Sequence, residues 1–225
     1  MVKERVVVAM SGGVDSAVSA LVLAQMGYEV IGITLRLWNE EREDAAPLNR
    51  GCCSLEDIED ARRVCQIIGA PHYVINAERE FQAFVVDYFV KEYQSGRTPH
   101  PCIACNDRIK FEFLLNRSQL MEADFLATGH YARIDKRNPE EILLLKGTDP
   151  SKDQSYVLFG LGQKQLRSLM FPVGEYPKDK IRTMAREAKL PIADKPDSQD
   201  ICFIPKGNYQ EFLNRYNESR PGQIV

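Results

Sequence analysis

A glycine-rich hexapeptide at residues 11–16 directly follows an apolar run at residues 6–10, and this junction constrains the fold more than any other feature of the chain. The apolar run predicts a buried strand. From Val18 to Met26 apolar residues recur at helical spacing, and Gly27 ends that pattern. Glycines and the unpaired amides of a first helical turn let the backbone approach an anion closely. The junction therefore predicts a phosphate-binding loop between a strand and a helix.

The loop reads Ser-Gly-Gly-Val-Asp-Ser. It lacks the Gly-Lys-Ser/Thr ending of a Walker A loop and the Gly-x-Gly-x-x-Gly spacing of dinucleotide-binding turns. It resembles the loop of ATP pyrophosphatases, which split ATP into AMP and pyrophosphate. An ordinary glycine turn is the alternative, but the two serines and the flanking elements favour a nucleotide. Asp15 is the acid of the loop: it suits the helix dipole, and it suits Mg²⁺ held against phosphates.

Composition bounds the class of protein. The chain has 225 residues, of which 44% are hydrophobic and 27% charged, as in a globular protein. No apolar stretch approaches a membrane span and no signal peptide is visible, so we expect a cytoplasmic protein. The net charge of −3 disfavours bulk nucleic-acid binding but leaves room for a local basic face.

Strand and helix patterns alternate after the loop. Strands are predicted at residues 29–38, 72–75 and 124–130, with helices at 55–68, 81–93 and 107–120. Ser54 and Asp57 form a predicted capping box at the start of the first of these helices. Such alternation predicts an α/β fold with a doubly wound parallel sheet. Residues 11–16, Leu35, Cys102 to Cys105, Gly129 and His130 are then expected at the carboxyl edge of the sheet, where such folds bind ligands.

The pattern changes after Tyr131. A hairpin is predicted from residues 132–136 and 142–146, and a small helical and linker region follows. Helices are predicted to begin at residue 152 and to cover residues 178–188 and 209–216, with a strand-like run at 197–204. We therefore predict a catalytic domain at residues 1–150, an extension at 151–215 and the start of a further β domain at 216–225, where residues 221–225 enter a strand.

Six cysteines in a chain without a secretory signal favour ligands, nucleophiles or core residues over a disulfide framework. Cys102-x-x-Cys105 alone is compatible with a redox pair, half of a zinc site or cluster ligands. Cys65 lies inside an amphipathic helix and is predicted to pack in the core. Cys202 lies in a polar context that is unusual for a core cysteine, and Cys52 and Cys53 remain undecided.

Four further segments carry a family resemblance. They are Arg-Thr-Pro-His-Pro-Cys-Ile-Ala-Cys-Asn at 97–106, Ala-Thr-Gly-His-Tyr at 127–131, Lys-Asp-Gln-Ser-Tyr at 152–156 and Ser-Gln-Asp-Ile-Cys-Phe at 198–203. Together with the glycine loop, and in this order, they make the whole chain resemble the bacterial tRNA-specific 2-thiouridylases. Members of that family continue into a central domain and a C-terminal β-barrel, so the resemblance implies that this chain stops as the central domain begins.

The resemblance implies a role for each matching residue. It places ATP against Ala9, Met10, Ser11, Gly12, Gly13, Val14, Asp15, Ser16, Leu35 and Gly129. It places tRNA against His100, Pro101, Cys102, His130, Lys152, Asp153 and Gln154. It makes Cys202 the carrier of a persulfide and Cys105 its catalytic partner, with Asp15 assisting at the phosphates. The implied substrates are ATP, with Mg²⁺, and tRNAs of the Lys, Glu and Gln type, and a sulfur-donor or relay protein is the implied partner.

One departure leaves the sulfur chemistry open. Many relatives carry aspartate where this chain has Cys102, so Cys102, Cys105 and Cys202 offer three thiolates. Three cysteines can hold a [4Fe–4S] cluster with one open iron, and persulfide chemistry without metal is the alternative. Two other functions also remain open: an ATP pyrophosphatase with a different substrate, and a nucleotide- or metal-binding module without catalysis.

Overall fold

Strand β1 (Arg5–Ala9) supplies the centre of the fold, because Val6, Val7 and Val8 are completely buried. The computed structural model describes residues 3–38, 54–197, 201–204 and 209–216, and both edges of β1 pair with parallel strands there. A strand that is apolar on both faces is typical of a sheet covered on both sides. The predicted buried strand before the glycine loop is confirmed.

The other strands are β2 (Glu29–Arg36), β3 (His72–Asn76), β4 (Phe125–Ala127), β5 (Ala132–Asp135), β6 (Leu143–Lys146) and β7 (Leu169–Met170). A five-stranded sheet has the order β3-β2-β1-β4-β7, and each neighbouring pair is parallel. Strands β5 and β6 form a separate antiparallel hairpin, as predicted. Strand β7 was not foreseen, since two residues are too short to leave a periodic pattern. It adds residues after position 150 to the sheet, and the predicted domain boundaries remain predictions.

The helices are α1 (Val14–Gln25), α2 (Leu55–Ile68), α3 (Glu78–Phe81), α4 (Asp87–Gln94), α5 (Pro101–Ala104), α6 (Leu115–Leu120), α7 (Gln163–Ser168), α8 (Lys178–Glu187) and α9 (Tyr209–Asn214). π-Helical stretches at Gln82–Val86 and Cys105–Leu114 join α3 to α4 and α5 to α6. Short 3₁₀ helices lie at Ser155–Leu158 and Pro172–Glu175. Within the described ranges, no helix is long and apolar enough to cross a membrane.

Helices cover both faces of the sheet. Helices α1, α2 and α8 share an apolar cluster with Val6 and Val8. Val7 points to the opposite face, into a cluster with Leu114 and the 3₁₀ helix Ser155–Leu158. Alternate residues of one strand therefore feed two cores, as the geometry of a strand requires. The predicted doubly wound architecture is confirmed.

Helix α2 has the predicted cap, but the apolar patterns of α1 and α2 extend beyond the packed core. The capping box is confirmed, because the Asp57 amide donates to Ser54 Oγ at 3.1 Å and the Ser54 amide donates to Asp57 Oδ2 at 3.2 Å. Leu55 and Met26 continue the apolar spacing of α2 and α1, yet they are 85% and 63% exposed. Both lie at helix ends, beyond the part that packs on the core.

Two sequence predictions are wrong. The helix expected at residues 107–120 begins at Pro101, because proline suits the first turn, where its missing N–H is not needed. Cys102 and Cys105 therefore lie in the first turns of a helix. The prediction of a strand at 197–204 is also wrong for its described residues 201–204, which form a turn. The predictions for Cys52, Cys53 and residues 198–200 and 221–225 lie outside the described residues.

Candidate active site

The glycine loop connects β1 to α1 through a left-handed turn. Met10 donates its amide to the carbonyl of Ile33 at 2.8 Å, which holds the loop at the end of the sheet. Gly12 then adopts φ +71°, and a Cβ on it would lie 2.4 Å from the backbone oxygen of Asp57. Both the positive φ and the contact with α2 require glycine at this position. The loop thus packs directly on the first turn of a neighbouring helix.

Hydroxyl groups close the loop on itself. Ser16 Oγ donates to the carbonyl of Gly13 at 3.1 Å and accepts from the amide of Ser11 at 3.2 Å. Ser16 is buried, whereas Ser11 is exposed. The N-cap of α1 is Gly13, which has no side chain to cap the helix. The amides of the first turn are therefore left for a ligand, and the positive end of the helix dipole favours an anion there.

Asp15 points from this first turn into a cluster of polar side chains. Its Oδ1 accepts from the Tyr131 hydroxyl at 2.6 Å and from Lys178 Nζ at 2.7 Å, and its Oδ2 accepts from Lys178 at 2.9 Å. Burial raises the pKa of Tyr131, and the hydrogen bond to Asp15 raises it further, so the phenol remains protonated and donates. The carboxylate fits Mg²⁺ bound against phosphates, since that ion commonly takes one or two protein carboxylates.

Gly129 brings the end of β4 against the same turn. A Cβ on Gly129 would lie 2.7 Å from the amide nitrogen of Ser16 and 2.8 Å from the carbonyl carbon of Asp15. The shared edge of a parallel sheet predicted this proximity, and the structure has it. Leu35 lies at the carboxyl end of β2, two residues after the one whose carbonyl binds Met10.

Asp197 is a second acidic centre, which sequence reasoning missed. It accepts from Lys178 at 2.9 Å, from Lys152 at 2.9 Å and from Arg182 at 2.8 Å. Burial favours a raised pKa for Asp197, but the hydrogen bonds from Lys178 and Lys152 outweigh it and lower the pKa to about 2. Asp197 is therefore ionised at neutral pH and links three basic side chains.

Two of the three candidate cysteines pack together. Cys105 is buried in an apolar cluster around Phe89 and Phe203, and the half-buried Cys202 and Leu35 pack against the same cluster. Cys102 is exposed, one turn before Cys105 on the helix. Cys65 is fully buried, and burial raises its pKa to about 11, which agrees with the predicted core role.

The cysteine arrangement does not fit a cluster that needs three thiolates. Across the described parts of the chain, no three His, Cys, Asp or Glu side chains are gathered closely enough to hold a metal ion. Cys102 is exposed while Cys105 is buried, so the two thiols occupy different environments.

Comparison with known proteins identifies relatives of this chain. The model of the family described as tRNA methyl transferase HUP domain matches residues 4–206. A tRNA-specific 2-thiouridylase MnmA from Lachnoclostridium phytofermentans is 49% identical over 224 residues, covering 99% of this chain and 63% of the relative. A second one, from Caldanaerobacter subterraneus, is 51% identical, and a third, from Geobacter metallireducens, is 50% identical.

This chain belongs to the family described as tRNA methyl transferase HUP domain. It spans about three fifths of the length of the curated relatives it matches, since 61% of both the Caldanaerobacter and the Geobacter protein is covered. Among solved structures, a 4-thiouridine synthetase in complex with RNA and ATP superposes with a TM-score of 0.52 over 94% of this chain and 50% of that one, at 16% identity. NMN synthetase from Francisella tularensis superposes with a TM-score of 0.50 at 18% identity, covering 98% of this chain and 79% of that one. These likenesses concern the fold.

The side chains of residues 152–154 contact other parts of this chain. Lys152 pairs with Asp197. Asp153 accepts from the Gly147 amide at 2.9 Å, and Gln154 Oε1 accepts from the Tyr131 amide at 3.0 Å. The three residues tie the end of the hairpin to the segment that contacts Asp15. Their contact with tRNA stays a prediction, and each has a structural role as well.

His130 lies inside the fold, although the resemblance places it against tRNA. Its ring is 8% exposed, with Nδ1 2.6 Å from Thr128 Oγ1 and Nε2 3.5 Å from Lys110 Nζ. Burial, and then the charge of Lys110, holds the pKa of His130 well below its usual range. The ring is thus neutral and faces protein on its polar edges, and its tRNA contact stays a prediction.

His100, Pro101 and Cys102 start the helix that carries Cys105. His100 is exposed and its ring makes an edge contact with Tyr156, with the centroids 6.2 Å apart. Pro101 is buried and Cys102 is exposed. His100 and Cys102 are thus exposed next to the buried Cys105, as the expected approach of a tRNA base would require.

Lys195 is a further residue that the sequence did not single out. Its Nζ donates to the Gly12 carbonyl at 3.0 Å and to Asp57 Oδ1 at 2.7 Å. No local sequence motif marks Lys178, Lys195 or Asp197. Lys178 and Lys195 contact the loop from more than a hundred positions away in the sequence. Asp197 joins the site by pairing with Lys178 and Lys152. A search for basic residues near the motif segments would have found Lys152 and Lys195, which lies three residues before the 198–203 segment, but not Lys178.

Proposed function

We propose that this chain is the nucleotide-binding and catalytic part of an ATP-dependent tRNA 2-thiolation enzyme of the cytoplasm. The enzyme adenylates O2 of the wobble uridine in the anticodon of tRNAs of the Lys, Glu and Gln type. Sulfur then displaces AMP and leaves 2-thiouridine, with pyrophosphate as the other product. A sulfur-donor or relay protein supplies the sulfur. Family membership and the loop over residues 11–16 support this proposal.

The observation that carries the proposal is the packing of Cys105 and Cys202 in one cluster together with Leu35. Leu35 is the last residue but one of β2, which pairs with the strand that precedes the glycine loop. Two thiols from distant parts of the chain thus share one apolar cluster with a residue near the carboxyl end of β2. An ATP pyrophosphatase that uses ammonia or an amine as its nucleophile has no need of this pair.

The first step is positioning and charge stabilisation. The amides of the α1 first turn and the Ser11 hydroxyl would bind phosphate oxygens, and the absence of side chains at Gly12 and Gly129 leaves the backbone accessible. Mg²⁺ held at Asp15 would neutralise charge that develops on the leaving pyrophosphate. The uridine O2 attacks the α-phosphorus while the bond to the β-phosphate oxygen breaks, so a poor leaving group on C2 becomes a good one.

The second step uses the two cysteines. Cys202 carries a terminal persulfide sulfur that was delivered by the donor protein. The Cys105 thiolate attacks the inner sulfur, which forms a Cys105–Cys202 disulfide and releases hydrosulfide. Hydrosulfide adds to C2 of the adenylated uridine. The C2–O2 bond then breaks, and AMP leaves with O2. A thiol reductant then reopens the disulfide, so electrons balance over the cycle.

The test uses the whole protein with ATP, tRNA transcript and a persulfide donor. We expect one pyrophosphate per 2-thiouridine in the parent. Cys105→Ala and Cys202→Ala are expected to lose 2-thiouridine formation, while Cys65→Ala, a matched change in the core, retains it. Full product formation by both site variants would exclude thiolation by this route. ATP binding without pyrophosphate release, with tRNA and donor present, would favour the non-catalytic module.

A further inference from the structure

The glycine loop brings no cation of its own. Residues 9–16 contain neither lysine nor arginine, and the position that a Walker A loop fills with lysine is absent. A triphosphate nevertheless carries several negative charges, and sites that transfer phosphoryl or nucleotidyl groups place cations on them. Another part of the fold must therefore supply a protein cation if the site uses one.

Lys178 is placed to do so. Its Nζ lies 2.7 Å from Asp15 Oδ1, at the first turn of α1, although 163 positions separate the two residues in the sequence. In the portion of the chain that the structure describes, Lys178 is the one lysine or arginine classed as buried, with its side chain 9% exposed. A charge is rarely buried unless it is paired, and Lys178 is paired on two sides.

Three contacts fix the direction of this side chain. The Lys178 amide donates to Asp149 Oδ2 at 3.0 Å, which anchors the start of α8. The ammonium lies 2.9 Å from Asp197 Oδ1 and 5.7 Å from the centre of the Tyr131 ring. Tyr131 donates to Asp15 in turn. The ammonium is therefore held beside the loop by residues from four separate segments, and Asp15 is its more exposed partner.

We propose that Lys178 is a phosphate-binding residue of the nucleotide site, whose ammonium contacts β- and γ-phosphate oxygens of ATP and the pyrophosphate after cleavage. Asp197 is the positioning residue that keeps Lys178 directed at the loop. Phosphate oxygens take the place of Asp15 on the ammonium, so the charge remains paired in both states. This inference rests on the proposed function, because it assumes that the nucleotide binds over residues 11–16.

Equilibrium binding to the whole protein tests the inference without requiring turnover. The probes are a non-hydrolysable ATP analogue, pyrophosphate and AMP. Lys178→Met is expected to weaken binding of the analogue and of pyrophosphate by about 10- to 100-fold, and to leave AMP binding within about twofold. Lys178→Arg is expected to restore much of the pyrophosphate affinity, since the cation remains. Lys180→Met, an exposed change on the same helix, is the matched control and is expected to alter none of the three.

Folding is monitored by thermal unfolding of each variant. If Lys178→Met does not fold, Lys178→Gln replaces it, because a neutral amide keeps hydrogen bonds to Asp15 and Asp197 while the charge is lost. Unchanged pyrophosphate binding in the folded variant overturns the inference, and so does an equal loss of AMP binding. Lys178-dependent pyrophosphate binding by a protein that forms no 2-thiouridine would refute the proposed function alone. Normal thiolation with Lys178-independent pyrophosphate binding would refute this inference alone.

Discussion

Lys195 donates a hydrogen bond from Nζ to the carbonyl oxygen of Gly12 over 3.0 Å. The same ammonium binds Asp57 at 2.7 Å and Asp60 at 2.6 Å, both on α2. Burial favours a lowered pKa for Lys195, but its hydrogen bonds to Asp57 and Asp60 outweigh it and raise the pKa. The Lys195 side chain therefore connects the glycine loop to α2.

Replacing Lys195 by methionine is expected to lower the free energy of unfolding by about 1–3 kcal/mol, because Asp57 and Asp60 lose their shared cation in a partly buried place. Urea unfolding of the variant against the parent measures the change. Lys164→Met, on an exposed turn of α7, is the control and should stay within about 0.5 kcal/mol. Equal losses of unfolding free energy in the two variants would contradict a stabilising role for the Lys195 contacts.

Gly12→Ala separates backbone strain from steric overlap. The left-handed conformation at φ +71° costs a Cβ-bearing residue about 1–2 kcal/mol, and overlap of the Cβ with Asp57 adds about 1–3 kcal/mol. Gly27 also has a positive φ, at +93°, but no atom lies within 4 Å of its Cβ position. Gly27→Ala should therefore show the strain alone. Chemical denaturation of both variants tests the difference, and similar losses would mean that α2 does not constrain the loop.

His130 is expected to make stability fall as the solution becomes acidic. Burial and Lys110 lower its folded pKa, whereas in the unfolded chain it titrates near 6.5, as histidine ordinarily does. Below about pH 6.5 the unfolded state binds the additional proton, so stability decreases by up to about 1.4 kcal/mol per pH unit. His130→Gln removes this titration and leaves His72 in place. The difference in unfolding free energy between parent and variant, measured at pH 7, 6 and 5, should change steadily, and parallel curves would rule out a buried neutral ring.

Gln154→Ala tests whether Gln154 stabilises the fold through its hydrogen bond with Tyr131. The change leaves the Tyr131 amide without its side-chain acceptor, so the unfolding free energy should drop by about 1–2 kcal/mol even without tRNA. Gln66→Ala, on the exposed side of α2, serves as the control and should stay within about 0.5 kcal/mol. A loss of tRNA affinity with unchanged stability would instead favour a purely RNA-facing glutamine.

The pattern of apolar residues predicted most strands of the sheet, because apolar residues recur where a strand is buried. The three valines of β1, the capping box of Ser54 and Asp57, and the left-handed turn at Gly12 each depend on residues that are neighbours in the chain. The edge strand β7 left no pattern at two residues, and proline at position 101 moved a helix start that the apolar spacing placed later. Local signals therefore located elements better than their ends.

The site was predictable only where a motif marks it. The loop residues and Gly129 follow from the rule that parallel strands end at one edge, and they do meet. Lys178, Lys195 and Asp197 are ordinary charged residues in sequence. Their importance comes from three-dimensional pairing, such as the contact between Asp15 and Lys178, which no spacing in one sequence encodes.

The pairing of β1 with β4 also concerns how the chain is made. One edge of β1 can pair as soon as β2 exists, but its other edge waits for Leu126, about 120 residues later. At about 5–20 residues per second, a ribosome needs roughly 6–24 s to produce that partner. During this interval a strand whose three valines are completely buried in the finished fold has an unpaired edge, which exposes nascent chains to premature association.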